Sequence, residues 1–411
     1  MKVMDSLNKI RYQFLEKTVE YASKNIAFYE NIKTLDDAVL IDSKFVESNA
    51  GLFLNPLVTP DYFIFTSGTS GLLKMSQHTE FSLNYMIEFM SLFNPERNAN
   101  SYVLNLQGGG SGAIPKNVNN VLSIYACKKK HFQLIENLLL NGISNNGNNY
   151  VIDILCGGPT LKALTFYLLK RKFDFSKCKV NYLLYGSEHL CQRWKNIFEK
   201  YWKAEVRENF GLSEFLMAMA SRRDNEFYYF NATILPEVVD WDKKIIKSNI
   251  KEGIGELLLT HLYPFAQRQI FLRYRTGDIV KFKYLDNGEL GFYPLGRIAN
   301  SIFIDGYFAI GANEIVEILE EFPEFRREEL KLYDDNNYDN LGQVIFSVYK
   351  NEITIELMFD PILFSDKTDY LTNEIRLKIK LVSHVDDDMF NQIVVRLVAP
   401  RAIDDDSVCR Y

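Results

Sequence analysis

Tyr62-Phe63-Ile64-Phe65-Thr66-Ser67-Gly68-Thr69-Ser70-Gly71-Leu72-Leu73-Lys74 is the stretch whose reading decides the fold. Its four leading apolar residues read as a buried strand. The strand runs into a loop of glycines and hydroxyl residues that closes on a lysine. Such a loop can curl its backbone N–H groups around an anion. The hydroxyls add donors, and the Lys74 ammonium is a point charge suited to phosphate. A flexible Ser/Gly turn between strands has the same composition, and the loop alone does not choose between the two. Its spacing departs from the P-loop, which needs Gly, four residues, then Gly-Lys-Ser/Thr; here Gly68 and Gly71 are three apart and Lys74 stands alone.

The surrounding chain alternates strand-like and helical stretches. Residues 7–33 carry a loose apolar face (Ile10, Phe14, Val19, Tyr21) and read as helix. Tyr102–Leu106, Val151–Leu155 and Val180–Tyr185 read as strands, Pro159–Arg171 and Leu190–Tyr201 as helices. This alternation argues for helices packed on a sheet, an α/β domain. After residue 225 come short β-rich runs: Phe227–Phe230, Glu256–Thr260, Ile279–Tyr284 and Leu290–Pro294, with Asp286-Asn287-Gly288 as a hairpin turn. Beyond Gly296 the pattern becomes a small α+β unit, with helices at Ala312–Glu321 and Tyr370–Val382 and a strand at Gln392–Leu397. The boundary falls near Leu295–Ser301, which divides the chain into 1–297 and 298–411.

Bulk properties narrow the function classes. At 411 residues two domains are expected. The net charge of -6 gives no overall basic footprint for nucleic acid. No apolar stretch reaches the length of a membrane span, and Met1–Asp5 lacks the apolar core of a signal peptide, so a cytoplasmic protein is expected. The five cysteines are scattered without a Cys-x-x-Cys pair, which fits a reducing compartment and not a zinc ribbon. His189 and Cys191 are the nearest His/Cys pair, and two candidate ligands do not make a metal site. The aromatic content of 14% points to large cores or aromatic-lined pockets.

Four further segments carry chemistry. Tyr185-Gly186-Ser187-Glu188 ends a strand and opens a helix, where ligands collect in α/β sheets. Asn209-Phe210-Gly211-Leu212-Ser213-Glu214 sets a hydroxyl beside a carboxylate; alone, Ser213-Glu214 reads as a helix start, and near bound phosphates as a Mg²⁺ site. Arg273-Tyr274-Arg275-Thr276-Gly277-Asp278 ends in an acid after a glycine turn, and a fixed Asp can accept both hydroxyls of a ribose. Gly296-Arg297 sits at the boundary, where the guanidinium could reach a phosphate or ribose. Each segment alone has an ordinary structural reading as a turn, cap or surface ion pair.

Taken in order, these blocks resemble the acyl-adenylate-forming superfamily of acyl-CoA synthetases, peptide-synthetase adenylation domains and luciferase, and within it the phenylacetate–CoA ligase-like branch. Thr66–Lys74 is similar to the family's T-S-G-T-T-G-x-P-K loop, with Leu73 for proline. Phe210–Glu214 is similar to Tyr-Gly-x-Ser/Thr-Glu, with Phe for Tyr. Tyr274–Asp278 matches Tyr-Arg-Thr-Gly-Asp without change. Gly296-Arg297, Gly306 and Glu314-Ile315-Val316-Glu317 follow the family's Gly-Arg, glycine and Ile/Glu-rich helix, and Lys24–Tyr29 resembles the branch's N-V-P-F-Y segment.

The resemblance implies a large N-terminal AMP-binding domain over 1–297, with α/β sheets and a small β-rich part, followed by a small C-terminal α+β domain. It implies ATP, Mg²⁺ and a small carboxylic acid as reactants, with coenzyme A or an acyl/peptidyl carrier protein as thiol acceptor, and neither nucleic acid nor membrane as partner. Thr66, Ser67, Gly68, Thr69, Ser70, Gly71 and Lys74 would cover the pyrophosphate. Ser213 would touch the α-phosphate and Glu214 would hold Mg²⁺. Asn209, Phe210, Gly211 and Asp278 would hold the nucleotide, with Asp278 on the ribose and Arg297 near ribose or phosphate. Gly186, Ser187 and Glu188 would pack against adenine. The acid would lie among Asn105–Gly112, Leu155–Pro159 and Leu184–Gly186.

Two departures stand out. The family's acidic hinge residue corresponds here to Ile298-Ala299-Asn300, and the family's late lysine has no counterpart between Val394 and Tyr411, where Arg396, Arg401 and Arg410 are the cations. They motivate an alternative reading, a degenerate homologue that binds nucleotide without turnover. Cys409 motivates another, since the similar acyl-protein synthetases carry an acyl group on a late cysteine; against it, Asp404-Asp405-Asp406 would raise the thiol pKa.

Overall fold

A computed structural model of the chain describes residues 4–67, 73–84, 101–106, 121–124, 129–142, 150–186, 188–222, 226–326, 344–400 and 409–410. Two compact units emerge. The first comprises Met1–Ser101, Gln107–Val121 and Glu208–Tyr293; the second comprises Tyr102–Leu106, Leu122–Arg207 and Pro294–Tyr411. Residues 298–411 lie wholly in the second unit.

The first unit opens on the helix Met4–Asn25. The expected helix to residue 33 ends early because Ile26 turns extended (φ -119°, ψ 114°), and Ala27–Tyr29 continues as one 3-10 turn. The helix Ser43–Ser48 starts where the Asp42 carboxylate accepts the Phe45 N–H at 2.9 Å. The sheet of this unit runs in the order Ile245–Ile246, Ile234–Val239, Glu252–His261, Tyr274–Tyr284, Leu290–Arg297, Tyr228–Phe230, Phe215–Arg222, Glu205–Leu212. As expected, Asp286-Asn287-Gly288 turns the hairpin between Tyr284 and Leu290, with Gly288 at φ +76°. The aromatic residues form the core: Phe53, Phe215, Phe230, Phe271, Phe282 and Phe292 are all buried. Phe230 and Phe292 stack at 4.8 Å, and Phe210 meets them edge-on at 6.0 and 5.1 Å.

A separate hairpin in the same unit pairs Tyr62–Ser67 with Leu73–His78, in register from Tyr62↔His78 to Ser67↔Leu73. The apolar opening run is therefore a strand, but not one buried on both faces. Ile64 is buried while Phe63 is half exposed, because a two-stranded ribbon covers alternate residues only.

In the second unit Tyr150–Gly157 pairs parallel with Tyr182–Gly186, and the strand order continues through Ser101–Asn105 to Val121–Ser123. The helices Lys129–Asn141, Gly158–Lys170 and Gln192–Trp202 accompany them. Pro159 stands in the first turn of its helix, where a missing N–H costs nothing. A second sheet has the order Val394–Val398, Glu352–Glu356, Ile345–Tyr349, Cys409–Arg410. The helix Ser365–Val382 buries Leu371, Ile375 and Ile379, a four-residue spacing that makes one face. The strand ending at Arg297 and the start of the helix Ala312–Leu319 touch closely: a Cβ on Gly311 would stand 2.0 Å from the Leu295 carbonyl, and one on Gly296 (φ +134°) 2.7 Å from the Ala312 nitrogen. Among the described residues, no helix is long and apolar enough to cross a membrane.

Candidate active site

Tyr274–Asp278 forms a wide bulge. Arg275 faces Leu258 and Ile279 faces Glu256, so three residues on one strand oppose one on its partner. Gly277 makes the bend possible at φ +75°. The Thr276 hydroxyl locks it, donating to the Leu257 carbonyl at 2.9 Å and accepting from the Asp278 N–H at 3.0 Å. Glu256 completes the frame: it accepts from the Gly277 N–H at 3.2 Å and from the Arg275 guanidinium at 2.6 and 2.8 Å. Burial raises the Glu256 pKa above the usual carboxylate range against the pull of Arg275. Asp278, itself buried, is delivered at the exit of a bulge whose every residue has a fixed role.

Ser213-Glu214 is the tip of a hairpin, not a helix start. Glu205–Leu212 and Phe215–Arg222 pair antiparallel, with Leu212 opposite Phe215 across the turn. The antiparallel register decides this, and alternate burial of Val206 and Glu208 marks the first strand. Within this hairpin Asn209 faces Ser221, Phe210 faces Ala220 and Gly211 faces Met219. Glu214 is half-buried, and its Oε1 accepts from the Tyr274 hydroxyl at 3.0 Å. One hydrogen bond thus joins the carboxylate turn to the first residue of the bulge that carries Asp278.

Three buried side chains hold the turn from beneath, and the sequence reading missed all of them. Ser76 Oγ donates to the Ser213 carbonyl at 2.9 Å. The His78 ring backs it, with Nε2 3.1 Å from Ser76 Oγ, and the His261 ring stacks at 4.0 Å on Phe215, the residue that follows Glu214. Burial lowers the pKa of His78 to about 4 and that of His261 to about 3, so both rings are neutral at pH 7. A polar residue at every second position after Lys74 (Ser76, His78) and a histidine ending the apolar run Leu257–Leu259 were the available signals.

The remaining expected residues fall as follows. Thr66 and Lys74 are opposite each other in the hairpin, as are Ser67 and Leu73. Gly68, Thr69, Ser70 and Gly71, and also Ser187, lie outside the described residues. Gly186 ends its strand buried, but the next helix begins only at Gln192. The Glu188 carboxylate is engaged inside the second unit, with Lys162 Nζ at 2.7 Å and the Tyr185 hydroxyl at 2.5 Å. Arg297 ends the strand Leu290–Arg297, and its carbonyl accepts from Ser301 Oγ at 2.7 Å. Arg396 lies exposed, 4.0 Å from Glu352, and Arg401 lies outside the described residues. Cys409 and Arg410 form a short strand paired with Phe346 and Ile345, so the Cys409 backbone is tied to a sheet edge. His189 bonds Glu317 at 2.8 Å, and burial pushes the Cys191 thiol up to about 12.

The donor set fits magnesium. Among the described residues no three His, Cys, Asp or Glu side chains converge as a metal site. Mg²⁺ bound with a nucleotide needs only one or two carboxylates, since phosphates and water supply the rest; the half-buried Glu214 can be one. A cavity of about 560 Å³ in the first unit lies elsewhere, among Asn25, Ile26, Glu30, Leu54, Pro56 and Arg268.

No protein-family model matches the chain. It is 23% identical over 286 residues to the mitochondrial acyl-coenzyme A synthetase ACSM4 of Homo sapiens, an alignment covering 64% of this chain and 47% of the relative. The chain thus aligns with about half the length of its curated relatives. Among solved structures it is similar to 2-hydroxyisobutyryl-CoA ligase in the postadenylation state in complex with 2-HIB-AMP, with a TM-score of 0.64 at 15% identity, covering 96% of this chain and 86% of that one. It is also similar to a benzoate CoA ligase from Burkholderia xenovorans LB400, with a TM-score of 0.54 at 13% identity over 90% of this chain and 77% of that one. At these identities the structural likeness is one of fold.

Proposed function

We propose, from the premise that the chain belongs by fold to the acyl-adenylate-forming superfamily, that it activates a small carboxylic acid with ATP and passes the acyl group to a thiol. The observation that carries this reading is the hydrogen bond from Tyr274 to Glu214. It joins a carboxylate turn and an Asp-bearing bulge, two elements suited to the two ends of one nucleotide.

In the first step a substrate carboxylate oxygen attacks the α-phosphorus of ATP. The bond to the β-phosphate oxygen breaks, and acyl-AMP and pyrophosphate form. Positioning and charge neutralisation supply most of the catalysis in such displacements. Asp278 accepts the two ribose hydroxyls from its rigid bulge, and Arg297 is assigned to ribose or phosphate. Ser213 donates to an α-phosphate oxygen, and Glu214 holds magnesium, which neutralises phosphate charge when bound. The Thr66–Lys74 loop surrounds the leaving pyrophosphate, with the Lys74 ammonium as its cation. Asn209, Phe210 and Gly211 line the nucleotide beside the turn, and Gly186 and Ser187 flank the adenine. Glu188 acts only indirectly here, because its carboxylate is bound to Lys162.

In the second step a thiolate attacks the acyl carbonyl and AMP leaves. Coenzyme A is the favoured acceptor, because the named relatives are acyl-CoA synthetases and CoA ligases. Residues 1–297 form the adenylating domain and 298–411 its C-terminal companion on this reading, and the work is cytoplasmic. The test is to incubate the protein with MgATP and a panel of aromatic, short-chain and fatty acids, trapping acyl-AMP with hydroxylamine. A hydroxamate should form with at least one acid, and coenzyme A should then replace hydroxylamine as acceptor. Absence of hydroxamate across the panel would remove the proposal. Transfer to a carrier protein but not to coenzyme A would change the acceptor alone.

A further inference from the structure

Ser76, His78 and His261 have no part in the chemistry above, yet they are 4%, 8% and 3% exposed. Burying polar side chains is costly unless their hydrogen bonds are made, and fully bonded buried groups fix geometry closely. Ser76 bonds the turn directly at the Ser213 carbonyl, His78 bonds Ser76, and His261 packs on Phe215, which follows Glu214. His261 Nδ1 accepts from the Phe271 N–H at 3.0 Å, which leaves Nε2–H as the donor. Its ring is held by stacking on Phe215 at 4.0 Å and on Phe271 at 5.5 Å. His78 Nε2 stands 3.1 Å from Ser76 Oγ, so His78 acts on the Ser213 carbonyl through Ser76.

Ser76 and His78 belong to the strand Leu73–His78, which leaves the Ser/Thr/Gly loop through Lys74. The hydrogen bonds to Ser213 therefore tie that strand to the carboxylate turn within one unit. Gln77, between them, adds a second fastening: its N–H donates to Gln269 Oε1 at 3.1 Å, and its Oε1 accepts from Arg268 at 2.9 Å.

We infer that Ser76, His78 and His261 are positioning residues, a buried clasp that holds the Ser213–Glu214 turn at a fixed spacing from the strand bearing Lys74. The clasp sets the distance between the turn of the carboxylate that takes the metal and the strand Leu73–His78. This inference rests on the ATP-dependent reading above, and its test separates the two.

The test is calorimetric binding of MgATP to the full chain, with adenosine as a probe that lacks phosphates. Ser76→Ala removes the buried hydroxyl, with its bonds to the Ser213 carbonyl and to His78, without adding bulk, and MgATP binding should weaken about tenfold. Adenosine binding should change by less than about twofold, since the ribose and base contacts do not pass through the turn. In a Glu214→Ala background Ser76→Ala should have a clearly smaller effect on MgATP, because only the Ser213 contact is left for it to position. His261→Gln should follow the same pattern, and Ser76→Ala carries the test alone if that variant does not fold. Unchanged MgATP affinity in Ser76→Ala, equal losses for MgATP and adenosine, or losses that multiply with Glu214→Ala would each overturn the clasp. If the unmodified protein binds adenosine and MgATP equally, or binds neither, the ATP-dependent reading falls and the clasp with it.

Discussion

Replacing Lys162 by methionine keeps the length of the side chain and removes its charge, in the tightest polar cluster of the second unit. Lys162 Nζ stands 2.7 Å from Glu188 Oε1, and the two side chains are 1% and 8% exposed. Desolvation pushes the lysine pKa down, but Glu188, Cys191 and Glu320 outweigh it and the net shift is upward, so the lysine carries its charge. At this separation and an effective dielectric of about 20 the attraction is about 6 kcal/mol, from which desolvation must be deducted. Loss of one partner from a buried pair costs about 3–5 kcal/mol, because the other is left charged and unpaired. Lys162→Met should therefore destabilise by about that amount. The double variant Lys162→Met with Glu188→Met leaves no orphaned charge and should recover to within about 1–2 kcal/mol of the parent, the residue being the Tyr185 hydroxyl that loses its acceptor. Urea unfolding followed by tryptophan fluorescence reads this locally, since Lys162 lies 5.8 Å from the ring of Trp194. Losses below about 1 kcal/mol in the single variant, as for a solvated surface pair, would refute the reasoning. So would a double variant as unstable as the sum of the singles.

Other outcomes follow from the same geometry. Gly277→Ala meets no atom within 4 Å but must adopt φ +75°, so backbone strain alone should cost about 1–2 kcal/mol, seen as a lower Tm with weakened MgATP binding; an unchanged Tm would contradict the bulge. Tyr274→Phe removes the hydroxyl from Glu214 Oε1, and MgATP should bind about fivefold more weakly in calorimetry with the fold intact. His78 has a folded pKa of about 4 against an ordinary 6.5, so its contribution is complete above pH 6.5 and is lost as pH falls through 4. The loss amounts to about 3 kcal/mol, and urea midpoints at pH 7 and pH 4 should differ less in His78→Asn than in the parent.

The fold was legible where local chemistry and tertiary context agree. The hairpin turn at Asp286–Gly288 and the helix after Gly157 carry their own signals, Asn-Gly and an early proline. Ser213-Glu214 taken alone has the pattern of a helix cap, a hydroxyl followed by an acid, and only the long-range pairing of Glu205–Leu212 with Phe215–Arg222 reveals the hairpin. Helix propensity carried residues 26–33 too far, since the extended Ile26 is imposed by its own burial. In the candidate site the segments of Glu214 and Tyr274 that the sequence singled out are joined by a hydrogen bond, but the roles within Tyr274–Asp278 were not legible. That Arg275 frames the bulge through Glu256, nineteen residues back along the chain, is a pairing no local pattern announces. Glu188 is a second such case: its carboxylate is bound to a lysine of the preceding helix, which the strand-end pattern does not announce.

Acid-dependent exchange of labelled pyrophosphate into ATP tests the central claim most directly, because it reads the first step without any thiol acceptor. With an acid identified from the panel, the parent protein should exchange label only when acid, ATP and magnesium are all present. Glu214→Ala should lower the rate by about a hundredfold or more, as expected for a group that stabilises charge in the transition state. Exchange that proceeds at the parental rate in Glu214→Ala, or that fails with every acid, would contradict the account.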